Sequence, residues 1–308
     1  MSAPMVRIAS VDFGATKILV QVLGYRRQNQ FGGEYPPYVE ITTEERIDTT
    51  KGPNNPEEDY LRLYEVLERL QAECGFDGIS VGIAARLDKL GVVAKGGSLR
   101  WEGRNLARML TKDFNVPAIV DNDGAMLAAV EIVFGVLNQP EHQGKSGLIV
   151  APGTGIAVCL FVQQGGRTVI YPGEGAHMVI DTTAKVSSDP TKVCGCGRPC
   201  VESMASGGAY ERAGINPALL SEAAIVANLA PAYGTMIANY TKFLPSQVEV
   251  IVMSGGISHK RPTLVAVTEA TTTAELNGYV PTPEFFLSQY ETGGVLGSLA
   301  RWMLSDHY

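Results

Sequence analysis

Short runs of branched apolar residues alternate with helix-like stripes along this chain. Residues 6–12 and 16–23 are rich in Val, Ile and Leu and flank the glycine-bearing residues 13–15, which predicts a β-hairpin. Residues 24–38 set Gly32-Gly33 and Pro36-Pro37 among polar positions and predict an exposed, mobile loop. Asn55 is placed to cap a helix with Pro56 first and Glu57 and Glu58 in its opening turn. Leu61, Tyr64, Leu67 and Leu70 supply that helix's apolar stripe, and Gly75 its stop. Apolar runs at 78–84, 117–121 and 147–151 predict strands, and residues 124–133 a helix.

Further on, residues 221–244 read as a long helix, 248–253 as a strand, 254–256 as a turn and 297–304 as a closing helix. Strands alternating with helices make the fold class α/β. Residues 148–162 can be laid over residues 9–23, each being strand, small-residue turn, strand, with Gly14 falling on Gly153. Two related halves are therefore expected.

Length and composition narrow the picture. At roughly 150 residues per domain, 308 residues make about two domains, each able to bury a core. With 45% hydrophobic and 19% charged residues the chain is globular rather than disordered, and its net charge of −7 repels polyanions and anionic membranes. Neither nucleic acid nor a membrane is expected as a partner. No apolar run approaches the ~20 residues that cross a bilayer, and residues 1–10 lack the pattern of a signal peptide, so a cytoplasmic protein is expected. Five cysteines are too few for a disulfide scaffold, yet Cys194, Cys196 and Cys200 fall together, which favours a metal.

Five segments carry candidate chemistry. In Asp12-Phe13-Gly14-Ala15-Thr16-Lys17 the glycine admits a polyanion, Thr16 and Lys17 offer donors, and Asp12 can orient a hydrated magnesium ion; an ordinary hairpin turn has the same letters. Pro152-Gly153-Thr154-Gly155 repeats the device, and two such turns can grip a triphosphate through backbone N–H groups. Asp123 ends a strand and opens a helix, where α/β sheets place ligand-handling groups, and is the candidate base; Asp121 or Asp123 serves equally well as a helix cap. Asn122 beside it pairs a donor and an acceptor for neighbouring hydroxyls. The three cysteines and His177 form a Cys3His set suited to zinc, with no open position and hence a structural role. Glu174 stands three residues before His177 and Glu202 just beyond the cysteines, each either a hydroxyl acceptor or a solvated acid.

The sequence resembles the ROK family of sugar kinases, within the actin-like ATPase superfamily. DFGATK resembles the family's first phosphate motif, NDGAMLAAVE its NDANAAALAE segment, APGTGIA its second phosphate motif, GEGAHM its GExGH motif and CGCGRPCVE its CGCGxxGCxE signature. LPSQVEVIVMSGGIS resembles the helix, strand and turn that cup adenosine, and ETGGVLGSLA also fits.

The resemblance implies a two-domain actin-like ATPase (ribonuclease H-like) fold with an interdomain cleft. A domain of residues 1–121 would be closed by residues 295–308, and a larger one, residues 122–294, would carry the zinc loop. Implied activity is ATP-dependent phosphorylation of a hexose at its 6-hydroxyl, glucose first. Alternatives are N-acetylmannosamine, fructose or allose as acceptor, polyphosphate as donor, or a silent sugar-binding regulator. Motif position makes Asp123 the catalytic base, and Asn122, Glu174, His177, Glu202 and Ser98 sugar-binding. Asp12, Gly14, Thr16, Lys17, Gly153, Thr154, Gly155, Gly255 and Gly256 fall on the nucleotide motifs, and His177, Cys194, Cys196 and Cys200 on the zinc ligands. ATP, Mg2+ and structural Zn2+ are the implied cofactors and a homodimer the implied assembly.

The chain departs from the pattern in four places. Its cysteine loop lacks the Gly before the last Cys, Gly124-Ala125 replaces Ala-Asn, Ala84-Ala85-Arg86 replaces Pro-Gly-Pro, and Ser98-Leu99 replaces Asn-Leu. No helix-turn-helix precedes the first strand, so a DNA-binding repressor is not expected.

Overall fold

The structure, a computed structural model, describes residues 4–14, 16–26, 37–49, 55–95, 99–164, 167–181, 186, 194 and 196–305. The chain forms two compact units, residues 1–138 with 293–308, and residues 139–292.

In the first unit, β1 (Met5–Phe13) and β2 (Lys17–Arg26) form the expected hairpin, paired from Met5 opposite Arg26 to Phe13 opposite Ile18. β3 (Tyr38–Glu40) and β4 (Glu45–Asp48) both pair with β2 on its outer side. On the other side β5 (Gly78–Ile83) runs parallel to β1, and β8 (Ala118–Asn122) parallel to β5. β6 (Arg86–Leu87) and β7 (Val93–Lys95) make a separate small ladder. The predicted loop at 24–38 lies largely outside the described residues, which resume at Pro37.

Helix α1 (Pro56–Glu73) begins as its sequence predicts: the Asn55 side chain accepts the N–H groups of Glu57 and Glu58. Gly75, at φ 67°, ends it in a left-handed turn that favours glycine. Its buried stripe is Leu63, Leu67 and Leu70, whereas Leu61 is 55% exposed. The expected stripe is corrected there: Leu61 lies two positions before Leu63, about 200° around a helix of 3.6 residues per turn, and so faces away.

α2 (Leu106–Phe114), α3 (Asp123–Val133) and α9 (Gly294–Met303) complete the unit. α9 packs so tightly on α3 that a Cβ at Gly297 would lie 2.6 Å from the Met126 carbonyl oxygen. Buried Ser298 ties α9 to the sheet, donating to Val11 O at 2.7 Å while its own carbonyl accepts the Ser80 hydroxyl at 2.6 Å. Because α3 is held by α9, the unit boundary falls after residue 138 rather than at the expected 121/122.

In the second unit, β9 (Gly147–Pro152) and β10 (Ile156–Gln164) form another antiparallel hairpin, and β11 (Arg167–Gly173) pairs with β10. β12 (Val250–Met253) runs parallel to β9, and β13 (Glu284–Leu287) parallel to β12. The order β11-β10-β9-β12-β13 repeats β3-β2-β1-β5-β8 strand for strand, in order and direction. The two laid-over segments are thus equivalent hairpins of two equivalent sheets.

The unit's helices are α4 (Val201–Ala205), α5 (Gly207–Ala213), α6 (Glu222–Phe243), α7 (Gly255–Lys260) and α8 (Thr263–Leu276). Ser221 caps α6 through the Ala224 N–H, and Gly234 lets α8 approach, since a Cβ there would meet Thr271 at 2.5 Å. Residues 254–256, expected as a turn, instead open α7: Ser254 precedes it and Gly255 and Gly256 are its first residues.

Candidate functional site

At the β1–β2 turn, Gly14 N–H donates to Lys17 O at 2.9 Å, and Thr16 is exposed. Asp12 sits at the strand end opposite Leu19. Burial raises its carboxyl pKa, Lys17 pulls it back and Glu44 adds to the rise, so keeping it ionised is costly unless a positive charge stands beside it. A carboxylate at the strand end is the kind of hard oxygen donor that magnesium takes, directly or through water.

The second turn is built the same way, with Gly153 N–H donating to Gly155 O at 2.8 Å. Its carbonyls face the start of α5: Gly207 N–H donates to Gly153 O and Gly208 N–H to Thr154 O, both at 2.8 Å. Among the described residues no acceptor takes the N–H of Thr154 or Gly155. Gly255, at φ 77°, brings α7 against the same turn, where a Cβ would lie 2.5 Å from Pro152 O. Glycine is required there for conformation and for space. Glu291 approaches Gly256, its Oε1 2.8 Å from where a Cβ would stand.

Three adjacent polar residues end β8 and begin α3, and each has its own partners. Asp121 pairs with Arg301 at 2.8 Å. Asn122 caps the helix, its Oδ1 accepting Gly124 N–H at 2.8 Å and its Nδ2 donating to Ala85 O at 3.1 Å. Asp123 occupies the first helical position, exposed, with one oxygen accepting Gly124 N–H at 2.9 Å. Capping is thus the work of Asn122, and neither aspartate is the helix's cap.

His177, Cys194, Cys196 and Cys200 bring four ligand atoms within 4.8 Å of one another. The Sγ atom of Cys194 stands 3.0 Å from that of Cys196 and 3.2 Å from that of Cys200, and His177 Nδ1 lies 3.5 and 3.6 Å from Cys194 and Cys200. Around a tetrahedral zinc, bonds of about 2.3 Å to sulfur and 2.0 Å to nitrogen separate ligand atoms by about 3.5–3.8 Å. His177 meets that spacing to Cys194 and Cys200, Cys196 and Cys200 meet it at 3.6 Å, and the two shorter sulfur pairs need part by at most about 0.8 Å. Burial pushes the Cys194 thiol up to about 12 and raises Cys200 as well, an environment that a divalent cation reverses by binding thiolate. The missing glycine of the loop therefore leaves a set that fits zinc. His177 turns its other nitrogen to Glu174, Nε2 to Oε2 at 3.1 Å, and Gly175 between them leaves room for Tyr240, whose hydroxyl lies 2.0 Å from where a Cβ would stand.

Glu202, on the second position of α4, accepts Ile156 N–H through Oε2 at 3.1 Å. Ser98 lies outside the described residues. Sequence reasoning missed Arg301, Tyr240, Glu291 and the pair Gly207-Gly208. Of these only the glycine pair carries a signal of its own, a second small-residue step after the cysteine loop.

Comparison with known proteins places the chain. The ROK family profile matches residues 8–303. The chain belongs to the ROK family. It is 30% identical over 134 residues to a protein assigned as a xylose repressor in Caldicellulosiruptor sp. (strain Rt8B.4), a match covering 43% of this chain and 31% of that protein. To the N-acetylgalactosamine kinase AgaK of Shewanella sp. (strain ANA-3) it is 27% identical over 278 residues, 80% of this chain and 86% of that one. In fold it resembles the ROK hexokinase of Thermus thermophilus (TM-score 0.66, 21% identity, 97% of this chain and 98% of that one). It also resembles a ROK family glucokinase of Streptomyces griseus crystallised with glucose and AMPPNP (TM-score 0.67, 19% identity, 96% and 99%). The ROK chain thus has the actin-like ATPase fold. Among its described residues no helix is long and apolar enough to cross a membrane.

Proposed function

We propose that this ROK protein phosphorylates a hexose at its 6-hydroxyl with ATP, glucose being the first acceptor to test. The observation that carries the reading is the division of labour at β8–α3. Asn122 caps the helix and Asp121 pairs with Arg301, so the Asp123 carboxylate is presented at an exposed first turn rather than consumed as a cap.

In this reading Asp123 takes the proton of the 6-hydroxyl as that oxygen attacks the γ-phosphoryl group in line. Asn122 contributes its second amide hydrogen, and Glu174, His177, Glu202 and Ser98 hold the remaining hydroxyls. The two turns and Gly255-Gly256 receive the nucleotide, with Lys17 and the amides of Thr154 and Gly155 as donors. Magnesium, oriented through Asp12, supplies neutralisation of phosphate charge. Zinc, held by His177 and the three cysteines, supplies folding energy to the segment that carries Glu202. The protein acts in the cytoplasm, as a homodimer.

A coupled ADP-release assay across hexoses and N-acylhexosamines, with ATP and polyphosphate as donors, tests the reading. Asp123→Asn lowers turnover by about 10²- to 10⁴-fold while sugar affinity is kept. Near-normal turnover in that variant refutes the base assignment, and no sugar-dependent ADP release with any acceptor makes the protein a silent sugar binder. An N-acetylhexosamine is the second acceptor class to test, favoured by the likeness to the Shewanella kinase over most of both chains.

A further inference from the structure

We propose that Glu202 is a positioning residue for the turn 152–155, holding its backbone ready for a polyphosphate whether or not a sugar is bound. The proposal rests on the kinase reading only in taking that turn as a phosphate site. Three bonds join the turn and the first amide beyond it to residues 202–208. Two are backbone bonds, from Gly207 N–H to Gly153 O and from Gly208 N–H to Thr154 O, each 2.8 Å. The third runs from Ile156 N–H to Glu202 Oε2 at 3.1 Å.

The fit leaves no slack. A Cβ on Gly155 would lie 2.9 Å from Glu202 Oε2, and Cβ atoms on Gly207 and Gly208 would lie 2.7 and 2.9 Å from the carbonyl oxygens of Gly153 and Thr154. With those two carbonyls engaged by α5, their oxygens are kept off an anion at the turn, and among the described residues no acceptor takes the N–H groups of Thr154 and Gly155. The Glu202 bond is the one charge-assisted link of the three, and it fixes the amide that follows the turn directly. Carbonyl oxygens aimed at a phosphate repel it and amide hydrogens attract it, so a turn that loosens loses affinity for the phosphates and not for the nucleoside.

The test needs no sugar. Amide hydrogen exchange at Ile156, and affinities for AMPPNP and for adenosine, are measured on the full chain with its bound metal, in wild type, Glu202→Ala, Glu202→Gln and Gly155→Ala. In Glu202→Ala, Ile156 exchange rises by about tenfold or more, AMPPNP affinity falls by several-fold to about tenfold, and adenosine affinity holds. Glu202→Gln, which keeps a carbonyl acceptor, recovers most of both. Gly155→Ala, which crowds the carboxylate from the turn side, repeats the alanine pattern with Glu202 still present. Unchanged Ile156 exchange in Glu202→Ala, or equal losses for AMPPNP and adenosine, overturns the proposal. Failure of the kinase reading reads differently: no phosphate reaches any sugar in wild type, while Ile156 exchange still responds to Glu202→Ala, which upholds the tie.

Discussion

Replacing Trp302 of α9 tests how the first unit is closed. Trp302 is 4% exposed and its indole packs against β5, with Cη2 only 2.2 Å from where a Cβ on Gly78 would stand. Trp302→Ala leaves a cavity there and costs about 3–5 kcal/mol. Gly78→Ala pushes a methyl group into the ring and costs about 1–3 kcal/mol. The two costs share one space, so the double variant is no less stable than Trp302→Ala alone, a coupling equal to the whole Gly78→Ala cost of about 1–3 kcal/mol. The assay is denaturant unfolding followed by tryptophan fluorescence. The chain has two tryptophans, Trp101 and Trp302, both in the first unit, so the signal reports that unit. In the Trp302 variants the remaining reporter is Trp101, fully buried and edge-on to Phe13 at 5.2 Å. Costs that simply add would refute the shared space, and with it the seating of α9 on the sheet.

Two further outcomes are expected. Burial raises the Asp12 pKa, so between the ordinary carboxylate value and that raised value the folded chain keeps a proton the unfolded chain has lost; stability therefore falls as pH rises through this window and is level above it. Asp12→Asn removes the fall and raises the melting temperature at neutral pH, and a melting profile against pH parallel to wild type would contradict this. Purified protein carries about one zinc per chain; Cys200→Ser, at a fully buried ligand position, loses it, and the far-UV melt drops while tryptophan fluorescence of the first unit keeps its midpoint. Elemental analysis and paired melts read both effects.

What the sequence reveals here is local. The hairpins at 5–26 and 147–164 were legible because branched residues crowd either side of a glycine turn, and Asn55 because a cap is written in one residue. α8 was missed. It is rich in threonine, with Val and Thr on several sides, and its packing on α6 depends on Gly234, nearly thirty positions before Thr263. The unit boundary was missed for the same kind of reason, since α3 belongs with a helix from the far end of the chain. At the site, the cysteine set and the order of the motifs were plain, and the description "sugar-binding acid" fitted Glu202 without hinting at its bond to Ile156. A side chain with two oxygens can serve two neighbours, and a string of letters names at most one.

The seating of α9 also governs the order in which the protein can assemble. Ser298 and Trp302 reach the sheet only after the whole of residues 139–292 has been made, whereas that intervening unit is continuous and complete in itself. On a ribosome the second unit can therefore finish first, while the opening strands wait with Gly78 and Val11 uncovered, a reversal of the usual start-to-finish sequence. The unit that the chain begins is thus the one it closes last.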